Sequence, residues 1–392
     1  MPSEREISVE DLKNWDLLER FLEVLLRLAP KHQAKLHPTF ADRRRKLGYV
    51  PYLSMFLFGV FNSTVLTMRQ LCALSELAKA QKLLGIGKVS LGSFSATQRL
   101  IDPDLLKHVF EHLVEQLPAS GKADPRLAHL PLLAQDGSLW RALPRMFWAD
   151  YGVGPRGEAK GVRLHLRFNI LKDAPEDAQI TCGKGCETDA LREMLLPGQT
   201  TVGDRFYGHD YKLFREIDQA RAFFVFRIHD QAVVNVEEEL PITPEDAAAG
   251  VVRHAWVRLG ATEKLRSMRV RLVEVRRDGQ HLLLVTNHAV AELSAELVAV
   301  VYRRRWSIEL FFRWIKCILG TRHFFAESPE GVAIQLYLAL IASVLLQLFT
   351  GTRPTKRVME LIQMYFMGWA TAEELARLIP KYSAKAKPAQ KS

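Results

Sequence analysis

The chain has 392 residues, of which 48% are apolar and 25% are charged, and this composition excludes a wholly disordered, collagen-like or coiled-coil protein. Its 54 Lys and Arg against 44 Asp and Glu give a net charge of +10. That excess favours a polyanionic partner such as nucleic acid, although a merely basic soluble enzyme explains the charge equally well. Four scattered cysteines and a charged N-terminal stretch without the apolar core of a signal peptide indicate the reducing cytoplasm.

Residues 1–125 predict a helical N-terminal region that binds DNA. Apolar residues recur at helical spacing in residues 17–30 and again in residues 105–117. Between these two stretches, Ser93 or Ser95 is expected to cap a short helix that reaches toward Arg99 and contacts DNA. An ordinary helical bundle with a solvated charge cluster explains the same pattern at least as well.

Residues 126–220 change from helical to strand periodicity. Strands come first and then alternate with helices, which predicts a mixed α/β sheet. Residues 221–295 return to strands, are rich in arginine and lack a long helix, so we expect an all-β domain inserted into the preceding one. The helical period returns over residues 296–350, which are expected to complete the interrupted domain.

The C-terminal part of the chain contains one apolar stretch of membrane-spanning length, residues 331–349. Gln335 and Gln347 interrupt it, so we predict a buried core helix and no membrane partner. Residues 351–392 are expected to form a helical segment followed by a basic, disordered tail.

Several arginines are candidates for DNA contact. Arg163 and Arg167 alternate with apolar residues along one predicted strand, where they either line a DNA channel or face solvent. In the β-rich segment, Arg269 and Arg271 share a strand face, which gives them the better claim to DNA.

The most informative stretch is residues 301–324, read as one amphipathic helix. One side carries an acid surrounded by basic and aromatic residues, and the opposite side is apolar. The polar side consists of Tyr302, Arg305, Trp306, Glu309, Arg313 and Lys316. A surface helix with solvated ion pairs such as Arg305–Glu309 is the simpler interpretation of this stretch taken alone.

Two aspartates in other parts of the chain favour a functional interpretation of this helix. Asp136 and Asp204 each follow an apolar strand, at the strand ends where function gathers in α/β sheets. Together with Glu309 they would bind two hard cations through oxygen ligands, as enzymes that transfer phosphoryl groups do. Each aspartate alone is weak support, because Asp-Gly is above all a turn signal. A zinc site at Cys182 and Cys186 is improbable, because no second cysteine pair accompanies them.

The spacing of Tyr302, Arg305, Glu309 and Lys316 resembles the Y-R-E-K signature of DDE transposases of the insertion-sequence-four family. The family's first acid lies in a DGS-like strand, matched by residues 136–138. Its second acid lies in a D-R-x-Y/F context, matched by residues 204–207. The resemblance covers residues 128–325.

This resemblance implies a ribonuclease-H-like core whose metal ligands are Asp136, Asp204 and Glu309. It implies two Mg²⁺ ions per active site, with Mn²⁺ as a substitute, and metal-dependent cleavage and transfer of DNA strands. The partners would be the terminal inverted repeats of an insertion sequence and then target DNA, bound by a homodimer in the bacterial cytoplasm or nucleoid. Tyr302, Arg305 and Lys316 would contact phosphates, with Arg313 beside them, and Trp306 would stack on an unpaired base, although a packing role for Trp306 is simpler.

Two other functions remain open at this stage. One is a metal-dependent nuclease with the same core and no strand transfer. The other is a non-catalytic DNA-binding descendant, against which the presence of all three acids argues.

Overall fold

The computed structural model describes residues 16–42, 44–62, 65, 67–120, 124–154, 157–262, 266–277, 279–321 and 323–384. The predicted basic tail falls mostly outside these residues, as does the N-terminal stretch without a signal peptide. By internal contacts the chain forms two compact units. The first unit comprises Met1–Pro118, Trp140–Val162 and Arg313–Ser392, and the second comprises Ala119–Leu139 and Arg163–Phe312.

The helices and strands are numbered here in chain order within the described residues. The α-helices are α1 (Asp16–Leu28), α2 (Tyr49–Phe61), α3 (Met68–Leu74), α4 (Ala78–Leu84), α5 (Leu91–Gln98), α6 (Asp104–Glu115), α7 (Glu187–Glu193), α8 (Tyr211–Gln219), α9 (Pro244–Ala248), α10 (Ala295–Arg304), α11 (Trp306–Cys317), α12 (Pro329–Thr350), α13 (Lys356–Phe366) and α14 (Ala372–Ala384). The strands are β1 (Leu132–Arg141), β2 (Asp150–Gly154), β3 (Gly157–Asn169), β4 (Ala174–Cys182), β5 (Thr200–Gly203), β6 (Phe223–Arg227), β7 (Val234–Glu239), β8 (Val251–Leu259), β9 (Val270–Arg277) and β10 (Gln280–Thr286).

The first unit is mainly helical and is organised around α12. Ser328 caps this helix by accepting a hydrogen bond from the Gly331 amide, Pro329 occupies its first turn, and Gly351 ends it with a φ of 75°. The helix is long and apolar enough to cross a membrane, yet 83% of its apolar window is buried within the protein. It packs against α1, α2 and α6, as the prediction of a core helix requires.

The short helix expected near Arg99 is α5, but its cap differs from the prediction. The Ser90 hydroxyl, rather than Ser93 or Ser95, accepts the capping hydrogen bond, from the Ser93 amide at 3.2 Å. Gln98 is buried, and Arg99 follows it as an exposed side chain.

The second unit contains a mixed sheet, in agreement with the predicted α/β class. Its strands run in the order β3, β1, β5, β6, β10, β9, β8 and β7, and β4 also pairs with β3. The pairs β1–β5 and β5–β6 are parallel. Helix α7 lies in the connection from β4 to β5, and α8 lies in the connection from β5 to β6. Leu213, Phe214 and Ile217 of α8 are fully buried in the apolar cluster that contains Phe224 and Phe226 of β6.

Strands β7 to β10, from the segment expected to form an inserted β domain, extend this sheet, and β6 of the same segment pairs with β5 of the core. Strand β10 pairs antiparallel with β6 through Leu284↔Arg227, and β9, β8 and β7 follow in antiparallel order. The extension forms one continuous sheet with the core because the backbone of β6 offers an edge that β10 completes.

Candidate active site

Asp136 and Asp204 occupy neighbouring parallel strands. The register pairs Ala134 of β1 with Val202 of β5, and each aspartate lies two residues beyond that pair. Side chains two residues apart on a strand lie on the same face of the sheet. The equal offset from this pair therefore places the two aspartates beside each other on neighbouring strands. The sheet therefore brings the two predicted acids together.

Asp204 follows the end of β5, as predicted, whereas Asp136 does not end its strand. Strand β1 continues through Asp136 and Gly137 to Arg141, so this Asp-Gly pair is not a turn. The presence of glycine at position 137 has a different explanation. A Cβ atom placed there would lie 2.9 Å from both Cδ and Oε1 of Glu187. The glycine permits a carboxylate to approach the strand backbone closely.

Local hydrogen bonds fix one oxygen of each aspartate. Asp136 Oδ1 accepts from the Gly137 amide at 2.8 Å, and Asp204 Oδ1 accepts from the Phe206 amide at 2.8 Å. The described residues provide no hydrogen-bond donor for the second oxygen of either carboxylate. Each aspartate is thus oriented by its own loop or strand while one oxygen remains available to a ligand.

The electrostatics of Asp136 reflect a crowded acidic centre. Burial, together with the charges of Glu187 and Asp204, raises the pKa of Asp136 to about 7, against the opposing effects of the Gly137 amide and the Arg305 guanidinium. Burial also raises the pKa of Glu187, with Asp204 contributing in the same direction and Arg163 opposing. The carboxyl groups are close enough to disfavour one another's charge.

Glu187, which was not among the acids predicted from the sequence, is the first residue of α7 and belongs to this centre. Arg163 Nη1 forms an ion pair with its Oε1, and the Tyr207 hydroxyl lies 3.4 Å from its Oε2. Tyr207 itself stacks on Phe226 with ring centroids 5.8 Å apart. No motif marked Glu187, and the only available signal was a carboxylate at the start of a helix that follows a strand of the core.

Glu309 reaches the centre through Arg305. Arg305 Nη2 donates to Glu309 Oε1 at 2.6 Å, and the same guanidinium acts on the pKa of Asp136. Within the described residues, no group of three His, Cys, Asp or Glu side chains lies close enough to hold a metal ion. Asp136 and Asp204 therefore lie on paired strands, whereas Glu309 is related to Asp136 only through Arg305.

The stretch predicted as one helix is two helices that meet at Arg305. Helix α10 ends at Arg304 and α11 begins at Trp306, with the Arg305 amide bonded to the Tyr302 carbonyl at 3.1 Å. The predicted division of faces holds in part: Ile308 and Phe311 are buried and the Trp306 side chain is 54% exposed, but Tyr302, predicted on the polar side, is buried.

Tyr302, Arg305 and Trp306 line one cavity of about 490 Å³. Its other walls, which no sequence motif marked, come from β6, β10 and the end of α10. These are Arg227, Gln280, His281, Leu282 and Arg303. Three guanidinium groups and an exposed indole around one concave surface suit a ligand that carries phosphate and a planar ring.

Arg313 and Lys316 belong to the first unit. The Lys316 ammonium lies over the indole of Trp140, 4.1 Å from the ring centroid, and burial lowers its pKa. Arg313 is exposed on the polar side of α11.

The remaining candidate arginines have protein partners. Arg167 is buried and donates to the Met194 carbonyl, and Arg271 is buried and donates to the Leu293 carbonyl. Arg269 pairs with Glu238 of β7 at 2.6 Å and lies over Trp256. The expectation that Arg269 and Arg271 share a DNA-binding face is therefore wrong, because one is in the core and the other is neutralised by the edge strand.

The donor set of the centre fits a hard divalent cation. All of its candidate ligands are carboxylates, and carboxylate oxygens are the ligands that Mg²⁺ and Mn²⁺ prefer. Burial and the repulsion from Glu187 and Asp204 both raise the pKa of Asp136, and a bound cation would relieve that repulsion.

Comparison with known proteins identifies the family. Residues 129–345 match the family described as transposase DDE domain. A probable transposase for insertion sequence element IS5377 from Geobacillus stearothermophilus is 26% identical over 293 residues, 73% of this chain and 75% of that protein. The putative transposase y4zB from Sinorhizobium fredii is 32% identical over 196 residues, 49% of this chain and 54% of that protein.

Among solved structures, the piggyBac transposase synaptic complex with hairpin DNA aligns with a TM-score of 0.42 and 10% identity. The alignment covers 96% of this chain and 86% of that one. The narrower assignment to the insertion-sequence-four family stays a prediction. The family match spans more than half of the chain and includes both aspartates and the whole Tyr302–Lys316 stretch, so this protein belongs to the transposases with a DDE domain.

Proposed function

We propose that this transposase binds the terminal inverted repeats of its insertion sequence, cleaves the DNA strands there and joins the freed ends to target DNA. The observation that carries the proposal is the position of Asp136 and Asp204 at matching places on adjacent parallel strands. The negative charge of Asp204 acts on the Asp136 carboxyl group. Substrate DNA would be held by a homodimer in a synaptic complex, on the nucleoid of a bacterial cytoplasm.

Asp136, Asp204 and Glu309 would hold two Mg²⁺ ions, for which Mn²⁺ would substitute. When bound, such ions activate water or a 3′-hydroxyl and stabilise the leaving oxygen of a phosphodiester. Glu309 is paired with Arg305 in this structure, so it would be available to hold a cation where the guanidinium binds another anion. A DNA phosphate is that anion, since Arg binds phosphate through two parallel hydrogen bonds.

The cavity beside Arg305 would hold the DNA end. Arg227, Arg303 and Arg305 would neutralise phosphates near the cleaved bond, and Tyr302 would donate its hydroxyl to one of them. Trp306 is exposed at the cavity wall and would stack on an unpaired base. Lys316 and Arg313 would add phosphate contacts further along α11.

The test uses the DNA that flanks the gene, from which the inverted repeats are read. A precut duplex ending in that repeat with a free 3′-hydroxyl is mixed with a target plasmid and Mg²⁺. We expect covalently joined products from the wild-type chain and none from Asp204→Asn. Cleavage of an uncut repeat without joining would instead identify a nuclease, and binding without either reaction would identify a non-catalytic DNA-binding protein.

A further inference from the structure

We propose that Glu187 is a fourth acid of the catalytic centre, whose negative charge strengthens the binding of the divalent cation at Asp136 and Asp204. This inference rests on the proposed function and deepens it. It concerns a residue that lies outside both sequence motifs of the centre.

The backbone geometry places Glu187 directly against the strand of the first acid. Its carboxylate occupies the space that a side chain at Gly137 would need, with Cδ and Oε1 each 2.9 Å from an ideal Cβ position. Gly137 is the neighbour of Asp136 in β1, so the two carboxylates flank the same short piece of backbone. An alanine at position 137 would displace Glu187.

Two neighbours hold the Glu187 carboxylate in place by different oxygens. Arg163 binds Oε1, and the Tyr207 hydroxyl approaches Oε2 at 3.4 Å. The side chains of Arg163 and Glu187 are only 20% and 15% exposed, so solvent screens this charge poorly. The carboxylate is therefore fixed and its field acts at short range.

The charge balance around Glu187 is negative. The charges of Glu187 and Asp204 act on Asp136, and the charge of Asp204 acts on Glu187, whereas Arg163 and Arg305 are the guanidinium groups that offset them, Arg305 being also paired with Glu309. Placing a further carboxylate beside two others is unfavourable in a protein without a cation. A divalent cation reverses the sign of that interaction, because each added carboxylate then attracts it.

A purely structural role would not require the charge. Glutamine has the size of glutamate and retains an oxygen that accepts from Arg163 or Tyr207. The Glu187→Gln variant therefore separates the contact from the charge. Glu193 at the other end of α7 provides a matched control, since it is exposed and bonded to Gln179.

The experiment titrates the full-length chain with Mn²⁺ in the absence of DNA and measures free Mn²⁺ by electron paramagnetic resonance. Glu187→Gln is expected to weaken Mn²⁺ binding by about tenfold, in the range found when groups around a metal site are changed. Glu187→Asp, which keeps the charge, is expected to recover part of the loss. Glu193→Gln is expected to bind as the wild type does.

A second measurement, thermal melting, allows for variants that are less stable than the wild type. The rise in melting temperature on adding Mn²⁺ compares each variant with its own cation-free form, so it reports binding even where Glu187→Gln melts earlier. Wild-type affinity in Glu187→Gln, together with lost affinity in Asp136→Asn, would overturn the role of Glu187 and leave the proposed function standing. Wild-type affinity in both variants would overturn the cation site itself.

Discussion

Arg305 Nη2 donates to Glu309 Oε1 over 2.6 Å, and the same guanidinium acts on the charge of Asp136. Arg305 thus connects the third predicted acid to the first. The residue sits at the junction of α10 and α11, where the helix axis is interrupted. This junction is the element that DNA binding is expected to rearrange.

Replacing Glu309 by glutamine is expected to abolish strand cleavage while DNA binding is kept. Loss of a cation ligand removes several kcal/mol of transition-state stabilisation, which corresponds to a rate loss of about a hundredfold or more. Cleavage is measured on a labelled duplex that carries the inverted repeat, and binding is measured by fluorescence anisotropy. Glu296→Gln on α10, whose carboxylate pairs with Arg126, is the control and should cleave normally. Undiminished cleavage by Glu309→Gln would show that the third ligand is another residue.

Replacing Arg227 by glutamine is expected to weaken binding of the DNA end and to reduce its dependence on salt. Arg227 lines the cavity; its Nε is buried without a hydrogen-bond partner, and its Nη2 lies 3.7 Å from Asp230 Oδ1, a looser ion pair than that of Arg253. Loss of one phosphate contact lowers the slope of log affinity against log salt by about one unit. Arg253→Gln provides the comparison, because Arg253 already pairs with Glu239 at 2.6 Å. Equal slopes for Arg227→Gln and the wild type would exclude this cavity from the DNA path.

Replacing Gly203 by alanine is expected to destabilise the second unit. A Cβ atom there would lie 2.7 Å from Cδ2 of Tyr207 and 3.0 Å from the Phe226 ring. Overpacking of this kind costs about 1–3 kcal/mol of unfolding free energy. Gly92→Ala in α5, where the added Cβ meets nothing within 4 Å, is expected to raise stability by about 0.5 kcal/mol. Urea unfolding followed by tryptophan fluorescence distinguishes the two, and unchanged stability of Gly203→Ala would contradict the packing described around Tyr207.

Acid is expected to destabilise the protein partly through His288. Burial lowers the pKa of His288 to about 4 from 6.5, and the charge of Glu292 opposes the shift. Between these two values the unfolded chain takes up a proton that the folded chain does not. The free energy of unfolding should therefore fall as the pH drops from about 6.5 to about 4, by about 1–3 kcal/mol for this group.

The pH dependence is measured as urea midpoints at several pH values. His288→Gln, which keeps an acceptor for the Thr200 hydroxyl, is expected to flatten the profile over this window. An identical acid profile in the wild type and in His288→Gln would contradict the assignment of the proton to this residue.

The sequence predicted the parts of the centre that local patterns encode. Asp204 ends its strand as its context indicated, and the apolar side of α11 is buried at Ile308 and Phe311. The prediction that β1 ends at Asp136 was wrong, because Asp-Gly is a frequent turn signal. The glycine inside the strand is explained by the packing of Glu187 against it, which the sequence does not reveal.

Contacts that depend on how distant strands pair could not be predicted from the sequence. Glu187 and Arg227 enter the site through strand order and sheet pairing, which no short motif records. The pairing of Arg269 with Glu238 likewise follows from the alignment of β7, β8 and β9. The break at Arg305 interrupts a stretch whose apolar period is continuous, so periodicity alone predicts a single helix.

The most direct test of the central claim, that these carboxylates bind the catalytic cations, is a metal-specificity switch at Asp204. Mn²⁺ accepts a thiolate ligand more readily than Mg²⁺ does. Joining of a precut repeat end is measured for the wild type, Asp204→Cys and the exposed control Asp189→Cys, each with Mg²⁺ and with Mn²⁺. We expect Asp204→Cys to be inactive with Mg²⁺ and to regain joining with Mn²⁺, whereas both other proteins work with either ion. Joining by Asp204→Cys at the wild-type rate in Mg²⁺, or by the wild type in the presence of a chelator, would show that these carboxylates do not hold the catalytic cations.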